Sequence, residues 1–235
     1  MLSVIIPTLN EENYISNLLN CLKNQNYKNF EVIIVDANSN DKTKETALKF
    51  RKFLKLKIVN TEKRNVSYQR NLGVKNSSNE KILFLDADTK ISSDFLEKSL
   101  KEIENKIAIA SPNTYPESRH PIDLIFFFLF RIYIRILYKI IGFNGCCLFT
   151  LKSLHNKVKG FDESIKVSED FDYTKRLKKY AELLLLKTVK VKVSVRRFEK
   201  NGRLRTGFKI LLIGIYINLV GKIRSNLFNY KFNDK

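Results

Sequence analysis

One event recurs through the first part of this chain and limits what it can fold into. A short, β-branched apolar run stops abruptly at oxygen-bearing residues. Residues 2–6, 31–35, 56–59 and 82–85 read as buried strands bounded by turn residues. Between them Ile15, Leu18, Leu19 and Leu22 recur at i, i+3, i+4 and i+7, one face of a helix. Asp41 predicts the cap of a second helix through Phe53, and Ser92 or Ser93 that of a third running to about Asn105. Strand–helix–strand alternation predicts an α/β fold whose mostly parallel sheet carries helices on both faces. Ligands of such sheets bind beyond the carboxyl ends of the strands. There the first strand ends in Pro7, Thr8, Leu9, Asn10 and Glu11, the second in Asp36 through Asp41, and the fourth in Asp86-Ala-Asp88. Polar groups gather at one rim.

The alternation stops after Ala110. Residues 121–141 are rich in Phe, Ile and Tyr and read as a helix. In it Asp123, Phe127, Arg131, Arg135 and Lys139 fall at successive i+4 steps, which predicts one basic stripe beside a wide apolar face. Residues 142–149 suggest a strand, 151–158 a short helix, and 160–180 a turn followed by a helix capped by Ser168. Residues 187–195 alternate Lys with Val, as a half-exposed strand does. A final apolar stretch, 210–221, has Arg203, Arg205 and Lys209 before it and Lys222 and Arg224 after it. Both apolar segments suit a membrane interface; packing on each other or on a partner subunit is the alternative.

With 44% hydrophobic residues in 235, the chain can bury a real core, which excludes wholesale disorder. The net charge of +19 calls for an anionic partner: nucleic acid, anionic lipid or a phosphorylated small molecule. No helix-turn-helix, zinc-finger or RNP-type pattern is present, which argues against nucleic acid. No uncharged run reaches the roughly 20 residues of a membrane span, and the opening MLSVIIPTLNEE does not have the pattern of a signal peptide. Cys21, Cys146 and Cys147 lack metal-ligand spacing, and the adjacent pair would bridge only with strain, so reduced thiols in a cytosolic setting are expected.

Asp86-Ala-Asp88 has two readings. It is an acidic turn after a strand, or a pair of hard oxygen ligands for Mg²⁺ or Mn²⁺. Its neighbours in order decide the matter. VIIPTLNEE (4–12), VIIVDANSNDKT (32–43), SYQRNLGVK (67–75), ILFLDADT (82–89), GFDES (160–164), SEDFDYTKRL (168–177) and RRFEKNGRLRT (196–206) together resemble a family 2 glycosyltransferase of the GT-A fold. The resemblance implies an inverting hexosyl transfer from a nucleoside diphosphate sugar, UDP- or GDP-linked. Pro7, Thr8 and Glu11 match the loop around the nucleoside, and Asp36 a carboxylate that accepts from the base. Arg70, Arg196 and Arg197 match residues near the diphosphate. Asp86 matches a ribose-side residue and Asp88 the ligand of the bridging Mg²⁺ or Mn²⁺. Asp170 matches the catalytic base, with Gly145 and Glu169 on the acceptor side. Read from the residues alone, Asp170 is also an ordinary first-turn helix carboxylate, and Arg196 and Arg197 are also ordinary surface charges. A catalytic domain over 1–200 and a membrane-associating segment over 201–235 are expected. The acceptor is expected to be lipid-linked, and the protein peripheral or monotopic on the cytoplasmic face of the cell membrane. A phosphohydrolase of the haloacid-dehalogenase type also ends a strand in two aspartates, but Lys90 stands where Thr or Val belongs. A non-enzymatic basic module has no need of acids at three strand ends.

Overall fold

The computed structural model describes residues 1–104 and 106–225. β1 (Leu2–Thr8), β2 (Phe30–Asp36), β3 (Leu56–Asn60) and β4 (Lys81–Leu85) lie where the apolar runs predict and pair in parallel, in the order β3-β2-β1-β4. β5 (Thr89–Lys90), β6 (Ala108–Pro116), β7 (Cys147–Leu151) and β8 (Glu182–Val193) extend this to one eight-stranded mixed sheet, continuing β4-β7-β6-β8-β5. Along β1, Leu2, Val4 and Ile6 enter one core and Ile5 the other. A strand buried on both faces must be apolar throughout, which is why these runs stand out in the sequence. β6 was not foreseen. It carries Pro112 and Pro116, and the register with β8 shifts between Pro112 and Asn113, the kind of irregularity at which a sheet accepts proline.

α1 (Ile15–Lys23), α2 (Thr43–Leu48), α3 (Val66–Lys75) and α4 (Phe95–Ile103) connect the first strands. α1, α2 and α4 cover one sheet face through residues such as Leu18, Leu22, Ala47 and Phe95. α5 (Pro121–Ile141), α6 (Lys152–Lys157) and α7 (Glu169–Leu177) join α3 on the other, through Val74, Ile134, Leu154 and Tyr173. α2 stops at Leu48, short of Phe53, and Asp41 Oδ1 does accept the Thr43 N–H at 3.0 Å. Neither Ser92 nor Ser93 caps α4. Gln25 does so from another element: its Oε1 accepts the Leu96 N–H at 2.9 Å, while its amide donates to the carbonyls of Cys21 and Ser92. Asn105, the expected end of this helix, lies outside the described residues. Ser168 precedes α7 but makes no capping bond, and its φ of +62° turns the chain sharply there. The strand expected over 142–149 begins only at Cys147, and the one expected over 187–195 begins earlier, at Glu182.

Arg131, Arg135 and Lys139 form the expected basic strip along α5, while Asp123 and Phe127, earlier on the same i+4 line, turn inward. Successive i+4 steps advance about 40° around a helix of 3.6 residues per turn, so the line winds from core to solvent. Asp123 is fully buried and accepts from Ser118 Oγ at 2.7 Å and from Arg203 Nε at 3.2 Å. Arg131, half-buried, lies over the Tyr115 ring, and Arg135 and Lys139 are exposed. The wide face beside this strip is apolar: Ile125, Phe128, Leu129, Ile132, Ile136 and Ile140 are all exposed. α8 (Arg196–Asn201) leads into α9 (Arg203–Leu219), which crosses α5 where Gly207 meets Phe126. α9 likewise exposes Leu204, Phe208, Leu211 and Ile215. No helix among the described residues is long and apolar enough to cross a membrane.

His120 and His155 have structural places. His120 Nδ1 accepts the Ile122 N–H at the start of α5. His155 is buried, with Nδ1 2.8 Å from the Tyr173 hydroxyl, and burial pushes its pKa down to about 4. The unfolded chain binds this proton near pH 6.5, the folded chain only near 4, so the neutral form favours folding above 6.5. That contribution, up to about 3 kcal/mol, disappears as pH falls through this window. Urea unfolding of the wild type should weaken from pH 7 to 4 by more than that of His155→Gln. Parallel curves for the two proteins would refute the assignment.

Candidate active site

The loops after β1 and β2 are locked together at the carboxyl edge of the sheet. Thr8 and Asp36 are register partners, so their side chains meet: Thr8 Oγ1 donates to Asp36 Oδ2 at 3.0 Å. Ser39 donates its N–H to Oδ1 at 2.9 Å and its hydroxyl to Oδ2 at 2.5 Å. Glu11 N–H donates to Thr43 Oγ1, and Gln69 from α3 bridges the carbonyls of Thr8 and Val35. Asp36 is thus fully buried with both oxygens engaged, and neither it nor Thr8 reaches the adjoining cavity. Their visible work is to hold the loop that presents Pro7 and Glu11.

That cavity, about 320 Å³, is lined by Pro7, Glu11, Arg70, Asp86, Asp88, Gly145, Glu169, Asp170, Arg196 and Arg197. Ten of the twelve residues singled out in the sequence therefore meet in one place. Asp86 and Asp88 follow β4 in a turn, closed by the Thr89 N–H on the Asp86 carbonyl. Both line the cavity. Arg70 projects from α3 with 3% exposure and bonds Glu169 at 2.7 Å, Asp86 at 3.0 Å and the Gly145 carbonyl at 3.3 Å. These carboxylates hold it firmly protonated against the cost of burial.

Asp170 sits in the first turn of α7. Its Oδ2 accepts the Gly145 N–H at 2.5 Å and its Oδ1 the Phe171 N–H at 2.8 Å. A Cβ on Gly145 would stand 2.9 Å from the Asp170 Cβ and 3.1 Å from Arg70 Nη2, so only glycine lets these three groups approach. Burial, seconded by the Glu169 charge and opposed by Arg70, pushes the Asp170 pKa up to about 7. Such a carboxylate is a stronger base than an exposed aspartate. Asp172, two residues on, faces away and pairs with Arg176 and Lys222.

Arg196 closes the other side of the acidic cluster, forking onto Glu11 and reaching Asp88 at 2.9 Å. The Nε atoms of Arg70 and Arg196 are buried without a hydrogen-bond partner among the described residues, two unused donors beside a cavity. Burial raises the pKa of Asp88, with Asp86 adding to the rise and Arg196 opposing it, so its ionised form depends on a nearby cation. No group of three or more His, Cys, Asp or Glu gathers as a metal cage among the described residues. Two carboxylates with room for water and phosphate oxygens fit Mg²⁺ or Mn²⁺, which are commonly held in that way. The sequence reading missed Asn144 and Cys146, which come with the GFNGCC loop, and Phe130, Lys166, Ile210 and Ile213, which line the cavity from elements distant in the chain. Cys146 and Cys147 are unpaired, and burial raises both thiols, Cys146 to about 12, so neither is a ready nucleophile.

Comparison with known proteins gives this geometry a family. Poly(ribitol-phosphate) beta-N-acetylglucosaminyltransferase TarS of Staphylococcus aureus is 37% identical over 106 residues, 43% of this chain and 18% of TarS. The dolichyl N-acetyl-alpha-D-glucosaminyl phosphate 3-beta-D-2,3-diacetamido-2,3-dideoxy-beta-D-glucuronosyltransferase of Methanococcus voltae is 36% identical over 105 residues, 43% of this chain and 33% of that protein. The matched regions thus span a third or less of these relatives. In overall fold the chain is similar to the mannosyltransferase PcManGT of Pyrobaculum calidifontis, solved with GDP-Man and Mn²⁺, at a TM-score of 0.69 and 20% identity, covering 94% of this chain and 70% of that one. It is also similar to TarS 1–349 solved with UDP-GlcNAc, at a TM-score of 0.68 and 23% identity, covering 82% and 58%. These likenesses establish the GT-A fold expected from the motifs. The model of Glycosyl transferase family 2 matches residues 3–159, most of the sheet and the Asp86-Ala-Asp88 turn included, and the chain belongs to that family.

Proposed function

We propose that the protein is an inverting glycosyltransferase that moves a hexosyl group from a UDP- or GDP-sugar to a hydroxyl or phosphate of a lipid-linked acceptor. The observation that carries this reading is Asp170, a carboxylate of raised basicity, in one cavity with the Asp86-Asp88 pair and three arginines. Asp170 takes the acceptor proton as the acceptor oxygen attacks, and a single base suffices when attack comes from the face opposite the leaving group. Gly145 N–H and Phe171 N–H keep its oxygens oriented. Negative charge then grows on the departing diphosphate, where the spare donors of Arg70 and Arg196 stabilise it. Asp88, with Asp86, would hold Mg²⁺ or Mn²⁺, which when bound adds Lewis-acid stabilisation of the same charge. Pro7 and Glu11 face the nucleoside, with Thr8 and Asp36 behind them as supports. Gly145 and Glu169 lie on the acceptor side.

A lipid-linked acceptor is supported by the walls of the site. Phe130 of α5 and Ile210 and Ile213 of α9 line the cavity, while the outer faces of the same two helices expose Ile136, Ile140, Phe208 and Leu211. Apolar patches this large on a chain of net charge +19 suit an anionic bilayer surface, with residues 201–225 and α5 as the contact. The remainder of the expected 201–235 segment lies outside the described residues. The Methanococcus voltae relative is named for a dolichyl-linked sugar phosphate. On this reading the protein is peripheral or monotopic at the cytoplasmic face.

A screen for UDP or GDP release from nucleotide sugars, with polyprenyl-phosphate lipids or soluble sugars as acceptors, tests the reading as a whole; efficient transfer to soluble sugars alone would overturn the lipid acceptor. Asp170→Asn should retain donor affinity and lose transfer by about 10²–10⁴-fold. Wild-type kcat/KM should fall as pH drops below about 7, because protonated Asp170 cannot accept a proton. A flat profile from pH 8 to 5, or equal loss of donor binding in Asp170→Asn, would make the residue structural. Asp88→Asn should abolish Mn²⁺-stimulated turnover with little change in melting temperature; full turnover in excess EDTA contradicts the metal role. In vesicle flotation, wild type should rise with anionic liposomes, and Ile136→Glu combined with Phe208→Glu should stay at the bottom. Equal flotation of both would remove this surface from the membrane.

A further inference from the structure

One guanidinium spans the two carboxylates that the proposed donor and its metal require. Arg196 Nη1 lies 2.7 Å from Glu11 Oε2, and Nη2 lies 3.0 Å from Glu11 Oε1 and 2.9 Å from Asp88 Oδ2. Glu11 is 2% exposed, so the fork rests on a buried partner, and the Tyr14 ring covers it at 4.4 Å from the ring centroid. The charge of Asp88 is thereby compensated by a cation that belongs to the chain and loses no translational freedom in binding. A divalent ion that reaches Asp88 alone must either displace this guanidinium or sit beside it. Displacement leaves Glu11 buried with a weakened partner, and cohabitation sets two cations within a few ångströms in a poorly solvated cavity. A diphosphate arriving with the ion changes the balance. Its oxygens offer the displaced guanidinium a new partner, and they also match the Arg196 Nε, which has no hydrogen-bond partner among the described residues.

We propose that Arg196 is an internal counter-ion that bars Asp88 to a divalent cation until a nucleoside diphosphate arrives, so that metal and donor enter as a pair. The inference rests on the reading that Asp88 holds the metal, and it adds the order in which the site fills. By linkage, whatever factor the nucleotide adds to metal affinity, the metal adds to nucleotide affinity. The pairing also keeps the site from holding a metal that has no diphosphate to act on.

Free Mn²⁺, followed by its EPR signal, measures this without turnover, using the full chain with and without UDP or GDP. Wild type should bind Mn²⁺ weakly alone and at least about tenfold more tightly with the nucleotide. Arg196→Gln should bind Mn²⁺ alone about tenfold more tightly than wild type and lose most of the coupling. Arg196→Lys, which keeps one charge but not the fork, should fall between the two. If Arg196→Gln fails to fold because Glu11 is stranded, Glu11→Gln combined with Arg196→Gln removes both members and should still bind Mn²⁺ alone more tightly. Unchanged or weaker Mn²⁺ binding in the folded Arg196 variants overturns the counter-ion. Asp88→Asn separates the two ideas: if it leaves Mn²⁺ binding intact, the metal assignment itself fails, whereas if it abolishes binding while the Arg196 variants show no tightening, only the counter-ion fails.

Discussion

Five carboxylates, Glu11, Asp86, Asp88, Glu169 and Asp170, crowd one end of the sheet, and two arginines, one buried and one half-buried, make that crowding tolerable. Arg70 takes Asp86 and Glu169; Arg196 takes Glu11 and Asp88. Without these pairs, burial would drive protons onto the acids or the loops apart. The arrangement depends on helices from opposite parts of the chain, α3 and α8, delivering one guanidinium each to the same edge. Asp170 is the member left with the least compensation, and its raised pKa follows from that position.

The same edge explains the elements around it. β1, β2 and β4 stop together because they are parallel and in register, so the loops that follow open side by side. The sheet reverses direction at β7, and the GFNGCC loop before β7 therefore returns to this edge, placing Gly145 against Asp170 and Arg70. Close approach of three chain segments there leaves no room for a side chain at position 145.

The C-terminal part is tied to the site at several points. Arg203 reaches Asp123 on α5, and the chain after α9 returns to the loop before α7, where Val167 pairs with Ile223 and Lys222 bonds Asp172 at 2.8 Å. α9 thus has two faces with separate duties. Ile210 and Ile213 close the cavity while Phe208 and Leu211 lie outside. One helix can line a cavity and offer an apolar exterior because its residues reach all around the axis.

Burial on both faces wrote the parallel strands plainly into the sequence, and the amphipathic period did the same for α1 and α5. α3 escaped notice for a physical reason: its inner face carries Ser67, Gln69, Arg70 and Gly73, and Gly73 packs directly against Ile5, so no apolar period marks it. β6 was hidden by its prolines, and the cap of α4 by lying in Gln25, far along the chain. Residue types and their order were sufficient to name the family, and ten of the twelve site residues they pointed to line the cavity. The partners of each charge were not legible. That Asp36 spends its oxygens on Thr8 and Ser39, that Asp123 of α5 pairs with Arg203, and that Arg196 joins Glu11 to Asp88 were decided by tertiary structure alone. Electrostatic pairing depends on distance in space, and the sequence carries only distance along the chain.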